Sequence, residues 1–268
     1  MDNTPELNTG LSAPEAYLLI SLPRWDAHRA LKLGFMGLVT QAILRLDTED
    51  RPGLIRTRHI PHLRIAPDLP TPLPPVAASL VKVVRAAEPD GLLKNVLRQC
   101  QHEYRRTLVG FIEDCVGPAL VARGLAAPKR ARALGLFPYD SFVLTAAGED
   151  EKSRLQGVIS EARAIPSLLD SDPAKVAALI ASLGSAFLLV EELKPHYPAL
   201  EKALRPPDGG DVYNFVNPAS FDTGSSGDAC FDFGHLDFSC FDSGAFDSFD
   251  AGFSDASGGG DGGGTSGC

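Results

Sequence analysis

A mainly α-helical globule with one or two small β-hairpins, followed by a disordered C-terminal tail, is the architecture this sequence predicts. Three observations lead there. Through the first two hundred residues, apolar side chains recur three and four apart, and the runs are punctuated by helix caps and prolines. A few short stretches around residues 43–47 and 134–145 read instead as strands beside turn residues. After Arg205 the composition changes: lysine, arginine and glutamate stop, and eleven aspartates remain among glycine, serine and phenylalanine. The chain has 34 acidic and 25 basic residues, so residues 1–205 carry 23 acids against 25 bases, about +2, and the tail −11. The expected division is a globular helical domain at 1–205 and a tail at 206–268.

The elements follow in order. Ser12, Pro14 and Glu15 have the spacing of a capping box with proline in the first turn, opening a helix that carries Tyr17, Leu18, Ile20 and Leu22 until Pro23 stops it. A second helix starts near Asp26, with Ala30, Leu33, Phe35, Leu38, Val39 and Ala42 on one face. Residues 43–47 alternate as a strand, and after Asp50, Pro52 and Gly53 the partner strand is expected at 54–57. Five prolines between 67 and 75 make an extended connector. Helix resumes at 76–87, breaks at Pro89-Asp90-Gly91, and is expected to continue from 92 to 123 with a kink at Gly117-Pro118 and a C-cap at Gly124. Two strands, 134–138 and 141–145, are placed around a turn at 138–140. Thr145 then caps a helix from Ala146, and Asp172-Pro173 opens another. The order helix, strand, turn, strand occurs twice, a weak hint of duplication.

Composition also excludes. The most apolar run, 176–190, is broken by Ser182, Gly184 and Ser185 and ends at Glu191-Glu192. It falls short of the ~20 residues a membrane span needs, and reads as a buried helix. The opening MDNTPELNTG has neither a basic start nor an apolar stretch, so no secretory signal is expected. Cys100 and Cys115 lie in helical patterns without a CxxC or a spaced histidine, as reduced core thiols of a cytoplasmic protein would. There is no Walker loop, GxGxxG, HExxH or GxSxG. His59 and His62 form an HxxH interrupted by Pro61, which favours a solvated loop over a metal pair. The pairs Glu113-Asp114 and Glu191-Glu192 point to different helix faces and do not read as acid/base pairs. The expectation is no enzyme, no metal and no cofactor.

The basic residues offer the more specific reading. Arg24, Trp25, Arg29 and Lys32 gather at the start of the second helix around the chain's single tryptophan. Arg105 and Arg106 lie on the long helical stretch, and Arg123, Lys129, Arg130 and Arg132 surround the second hairpin. A cationic face with one amphipathic aromatic suits an anionic partner, a lipid headgroup or a nucleic-acid phosphate, although ordinary solvated helix faces look the same. In the tail, Phe-Asp pairs recur at 221, 231 and 241, then at 246 and 249. Spaced by glycine and serine, these rings form no core of their own against an ordering cost of ~1–2 kcal/mol per residue. Cys230, His235 and Cys240 are spaced too loosely for a zinc site, and a fourth ligand would have to come from an aspartate or Cys268.

The segments Leu120-Val121-Ala122-Arg123-Gly124-Leu125, Leu134-Gly135-Leu136-Phe137-Pro138 and Asp172-Pro173 with Ala177-Ala178-Leu179-Ile180, together with the opening from Leu11 to Asp47, resemble bacterial members of the Golgi-phosphoprotein-three family. The resemblance spans roughly residues 11–204 and excludes the tail. It implies a helical globule with a protruding β-hairpin. For eukaryotic members it implies phosphatidylinositol 4-phosphate binding at Golgi membranes and glycosyltransferase sorting. The family's headgroup pocket uses a tryptophan and three arginines. Alignment on the Val-Ala-Arg-Gly turn places Gly110, Glu113 and Leu31 at the arginine positions, with Trp25 only near the tryptophan. The residues expected to bind a lipid headgroup here are Trp25, Arg29, Arg105 and Arg106.

Two other readings stand beside this one. Residues 120–148 also look like a winged helix ending in the Leu-Thr-x-x-Gly of small bacterial regulators, with Arg123, Lys129, Arg130 and Arg132 on DNA phosphates. Alternatively the body is a scaffold whose acidic-aromatic tail binds a protein partner. The leading expectation is a cytoplasmic, peripheral protein that binds anionic lipid surfaces.

Overall fold

The computed structural model describes residues 10–52, 58–133, 137–169, 171–204 and 238–242. It is mainly helical with two antiparallel two-stranded hairpins. Helices α1 (Ala13–Ser21) and α2 (Ala27–Thr40) form the central layer, and α2 is buried along most of its length. Their starts are those the sequence predicts. The Glu15 carboxylate accepts the Ser12 backbone N–H at 2.8 Å, and Asp26 Oδ1 accepts from the backbone N–H of His28 and Arg29. Capping works from local chemistry, which is why it was readable.

The first hairpin pairs β1 (Leu44–Arg51) with β2 (Arg58–Ile65), in the register Leu44 to Ile65 through Arg51 to Arg58. The returning strand is described from Arg58; its expected residues 54–57 lie outside the described residues together with Gly53. The expected solvated HxxH loop is instead part of β2. Pro61 fits there because a two-stranded ribbon leaves one side of each strand without a ladder partner for its N–H.

A proline-rich connector leads to α3 (Pro75–Ala86) and α4 (Leu93–Glu103). The expected continuous helix to Arg123 is not formed. The chain breaks after α4, then winds through a π-helical turn (Phe111–Val116) into α5 (Gly117–Ala122). Arg105 and Leu108 have positive φ, 67° and 58°, within this break. Local backbone bonds close the break: the Leu108 N–H bonds the Arg105 carbonyl at 2.9 Å and the Gly110 N–H bonds the Tyr104 carbonyl at 3.0 Å, while Tyr104, Leu108, Phe111 and Ile112 stay buried. Gly124, at φ +72°, closes the segment as expected.

The second hairpin pairs β3 (Ala126–Ala133) with β4 (Phe137–Leu144). Its connection falls at 134–136, outside the described residues, and not at 138–140. The basic run 129–132 therefore lies on a strand and not on the approach to one. Thr145 caps α6 (Ala146–Ala162), its Oγ1 accepting from Gly148 N–H at 3.0 Å. A short α7 (Ile165–Leu168) precedes α8 (Pro173–Leu183), capped by Asp172. Two 3₁₀ segments, Gly184–Leu189 and Glu191–His196, lead into α9 (Tyr197–Leu204). The apolar stretch 176–190 is packed in the core, and among the described residues no single helix is long and apolar enough to cross a membrane.

Most of the tail lies outside the described residues. The exception is 238–242, where Phe238 precedes the single turn α10 (Ser239–Asp242) and is buried in the main core together with Phe241 of that turn. Rings unable to build a core of their own are here covered by the body's. At ~25 cal/mol per Å² of apolar surface, burying a phenylalanine contributes roughly 1.5–3 kcal/mol, enough to offset ordering one residue.

Candidate functional site

The expected headgroup residues fall into two groups. The first sits at the turn between α1 and α2. Trp25 is half-buried against the edge of the core, and Arg24 beside it is exposed. The Tyr17 hydroxyl accepts the Asp26 backbone N–H at 3.0 Å, which fixes the entry into α2. One turn on, the Arg29 guanidinium lies 5.4 Å over the Tyr17 ring and donates from Nη2 to Glu191 Oε1 at 2.6 Å. Glu191 also receives Lys194 Nζ at 2.6 Å, and its neighbour Glu192 receives Arg163 at 3.0 Å. The expectation that these two glutamates face different ways is met.

The second group is the break after α4. Arg105 donates to Glu113 and, at 3.4 Å, to Asp114. These carboxylates, Glu113 first through its hydrogen bond, hold the guanidinium more firmly in its charged form. In the π-helical turn both acids reach one arginine, which corrects the expectation that sequence neighbours diverge. Arg106 is exposed. Sequence reading missed Tyr17 and Glu191 as members of the first group; Glu191 lies 162 residues from Arg29.

Gly110, Glu113 and Leu31, which the resemblance sets against headgroup arginines, occupy sites that do not suit arginine. Leu31 is fully buried in the core. A Cβ added at Gly110 would lie 2.8 Å from the Tyr104 carbonyl oxygen, so a side chain there requires a different loop. Glu113 already holds Arg105. The exposed cationic groups are instead Arg24 and Arg29 in the first group and Arg105 and Arg106 in the second.

The alternative, phosphate-binding set also divides. Arg123 donates from Nε to Glu15 at 3.1 Å and from Nη2 to the Gly10 carbonyl at 2.7 Å. Glu15 is buried, so Arg123 completes the α1 capping box and is a structural residue. Lys129 and Arg130 are exposed on β3. The Arg132 backbone is in β3, and its side chain is outside the described residues.

Two polar clusters lie apart from these groups. His62, expected in a solvated loop, is buried: Nδ1 lies 2.8 Å from the Asp90 carbonyl oxygen and Nε2 3.3 Å from Glu49 Oε2. It fastens the first hairpin. The Ser79 hydroxyl sits 2.7 Å from the Tyr104 hydroxyl and 3.2 Å from Cys115 Sγ. Burial pushes the Tyr104 phenol and the Cys100 and Cys115 thiols up from their ordinary values. All three are protonated at neutral pH, which makes them poor nucleophiles. Among the described residues, no three histidine, cysteine or acidic side chains are grouped to hold a metal ion.

No protein-family model matches the chain, and no curated protein matches it.

Proposed function

We propose that the body is a non-enzymatic peripheral module that binds anionic, phosphoinositide-like lipid surfaces through the turn at Trp25, at the cytoplasmic face of a membrane. The observation that supports this reading is the grouping of Trp25, Tyr17 and Arg29 with exposed Arg24 at one surface turn. An aromatic with an apolar body and a polar edge, flanked by cations, suits the headgroup layer.

Magnitudes separate the two arginine groups. The Arg29–Glu191 pair is half-exposed on both sides. Such an exposed pair contributes only about 0.2–1 kcal/mol, so a headgroup phosphate of higher charge can compete with Glu191 for Arg29. Glu113 is only 13% exposed, so removing Arg105 from it leaves a shielded carboxylate without its main partner. Arg29 is the primary ligand in this proposal, and the positive charge of Arg105 and Arg106 adds long-range attraction to an anionic surface.

The test is co-sedimentation with phosphatidylserine or phosphatidylinositol 4-phosphate vesicles against neutral phosphatidylcholine. Each basic residue near the surface contributes about 1 kcal/mol, so Arg29→Ala/Arg105→Ala/Arg106→Ala should weaken vesicle binding roughly 100-fold. Equal sedimentation of parent and variant removes this site. A second reading rests on exposed Lys129 and Arg130, which make β3–β4 a basic ribbon of the kind that lies along duplex DNA. Binding to duplex DNA but not to vesicles would establish it instead.

A further inference from the structure

At one end of the core four aromatic rings stand in sequence. Phe187, in the first 3₁₀ segment, meets Tyr197, the first residue of α9, edge-on, with centroids 5.9 Å apart and planes at 78°. Tyr197 meets Phe238 in the same way, at 5.9 Å and 85°. Phe238 then meets Phe241 at 6.1 Å and 58°. The Phe241 N–H bonds the Phe238 carbonyl at 2.9 Å, so a single turn places both rings on one face three residues apart. Phe187 and Tyr197 belong to the body, Phe238 and Phe241 to the tail. All four are at most 5% exposed.

The seated sequence is Phe238-Ser239-Cys240-Phe241-Asp242, and the tail repeats its pattern at Phe246-Asp247-Ser248-Phe249-Asp250. In both, phenylalanines three apart are followed by aspartate. What recognises the first copy is ring geometry, and the second copy supplies the same rings at the same spacing. Edge-to-face pairs contribute about 0.5–1.5 kcal/mol beyond buried area, and so favour ring spacing over general hydrophobicity.

We propose that the Phe187–Tyr197 face is a recognition socket for a Phe-x-x-Phe-Asp segment, with two interchangeable occupants in this chain: residues 238–242, seated here, and residues 246–250. Exchange between them leaves one copy out of the socket at any moment. The tail is thereby a tethered, self-competing ligand.

A labelled peptide of residues 234–244 carrying Cys240→Ser probes the socket in trans, against the full chain. A flexible tether supplies its segment at an effective concentration of about 1 mM, so the parent should bind the peptide weakly. Replacing either copy alone, as Phe238→Ala/Phe241→Ala or Phe246→Ala/Phe249→Ala, halves the competition and tightens peptide binding about two-fold. Replacing all four should tighten it on the order of 10- to 100-fold. If Phe238→Ala/Phe241→Ala alone gives the whole gain, the copies are not interchangeable. If the four-fold variant does not bind the peptide while its circular dichroism is that of the parent, there is no socket.

A second readout needs no variant. Cys240 is half-buried beside the core. Saturating peptide should displace the tail segment and raise N-ethylmaleimide labelling of Cys240 in the parent chain, read by peptide mapping. Unchanged Cys240 labelling overturns the proposal independently.

Discussion

The two hairpins have equal strands and the same full pairing, yet they are fastened to the body by different means. The first is tied through backbone groups. The Leu63 N–H bonds the Gly91 carbonyl at 2.7 Å, His62 bridges to Leu92, and the His62 ring reaches the Asp90 carbonyl. The second has backbone bonds only at its base, from the Leu125 N–H to the Leu120 carbonyl at 3.0 Å and from the Thr145 N–H to the Leu125 carbonyl at 3.1 Å, and is otherwise tied by packing. The Phe142 ring covers Gly117, where an added Cβ would lie 2.1 Å from the nearest ring atom, and the first turn of α6 rests on the Leu125 carbonyl at Gly148. Gly91 and Gly117 stand at the two ends of the α4–α5 segment, so one stretch of chain roots both ribbons. Their charges differ as well. The first mixes arginines with Asp47, Glu49 and Asp50, and Arg64 pairs with Asp47 at 3.5 Å. The second carries Lys129, Arg130 and Arg132 against Asp140 alone. A hairpin rooted by backbone hydrogen bonds keeps its position through many side-chain changes; one rooted by a ring over a glycine depends on single atoms.

The sharpest way to break this difference is at the second root. Gly148→Ala sets a Cβ 2.0 Å from the Leu125 carbonyl oxygen, and backbone cannot swing aside. The expected loss is about 3 kcal/mol, the upper part of the overpacking range, or a fall in Tm of roughly 6–12 °C by calorimetry. Gly117→Ala should lose somewhat less, about 2 kcal/mol, because a ring can tilt. Adding Phe142→Leu should return part of that loss, since the two positions are in contact. Additive losses in the double variant would mean that Phe142 does not root the ribbon through Gly117.

The segment joining the two roots carries Cys100, Tyr104 and Cys115, and its buried groups set a pH limit. Ordinary thiols titrate near 9.0 and tyrosine near 10.0, and burial raises all three here. Above pH 9 the unfolded chain releases these protons while the folded chain keeps them. Stability is therefore complete below pH 9 and falls as pH rises, by about 1.4 kcal/mol per unit for each group engaged. Denaturant melts at pH 8, 9, 10 and 11 read this slope, and Tyr104→Phe should make the limb above pH 10 shallower. An unchanged slope in that variant would assign the alkaline loss elsewhere.

The smallest expected effect concerns charge. A tail of −11 should be drawn to the basic second hairpin more than to the mixed first one. Replacing the tail aspartates by asparagine keeps the α10 rings and removes the attraction. Binding of duplex DNA should rise a few-fold at low salt, and the gain should fade as added salt shortens the screening length to ~8 Å. Lys129→Glu/Arg130→Glu should abolish the gain, whereas Arg45→Glu/Arg64→Glu should leave it. No gain at low salt would show that the tail does not compete for the body's cations.

What the sequence determined by itself is the local chemistry. Ser12 with Glu15, Asp26, Thr145, Asp172 and Gly124 mark their helix ends correctly, because a cap is made within four residues of where it is written. The mainly helical class follows from the same short-range periodicity. Tertiary structure decided whatever depends on groups far apart along the chain. It broke the helix after Tyr104 with local backbone bonds, put the expected second turn at 138–140 inside a strand, and buried His62 against Asp90. It gave Arg123 to Glu15 and Arg29 to Glu191, leaving a basic motif in sequence with fewer available cations in space. It also took two phenylalanines from a polar tail into the core, because only the folded body offers Phe187 and Tyr197 as a face to receive them.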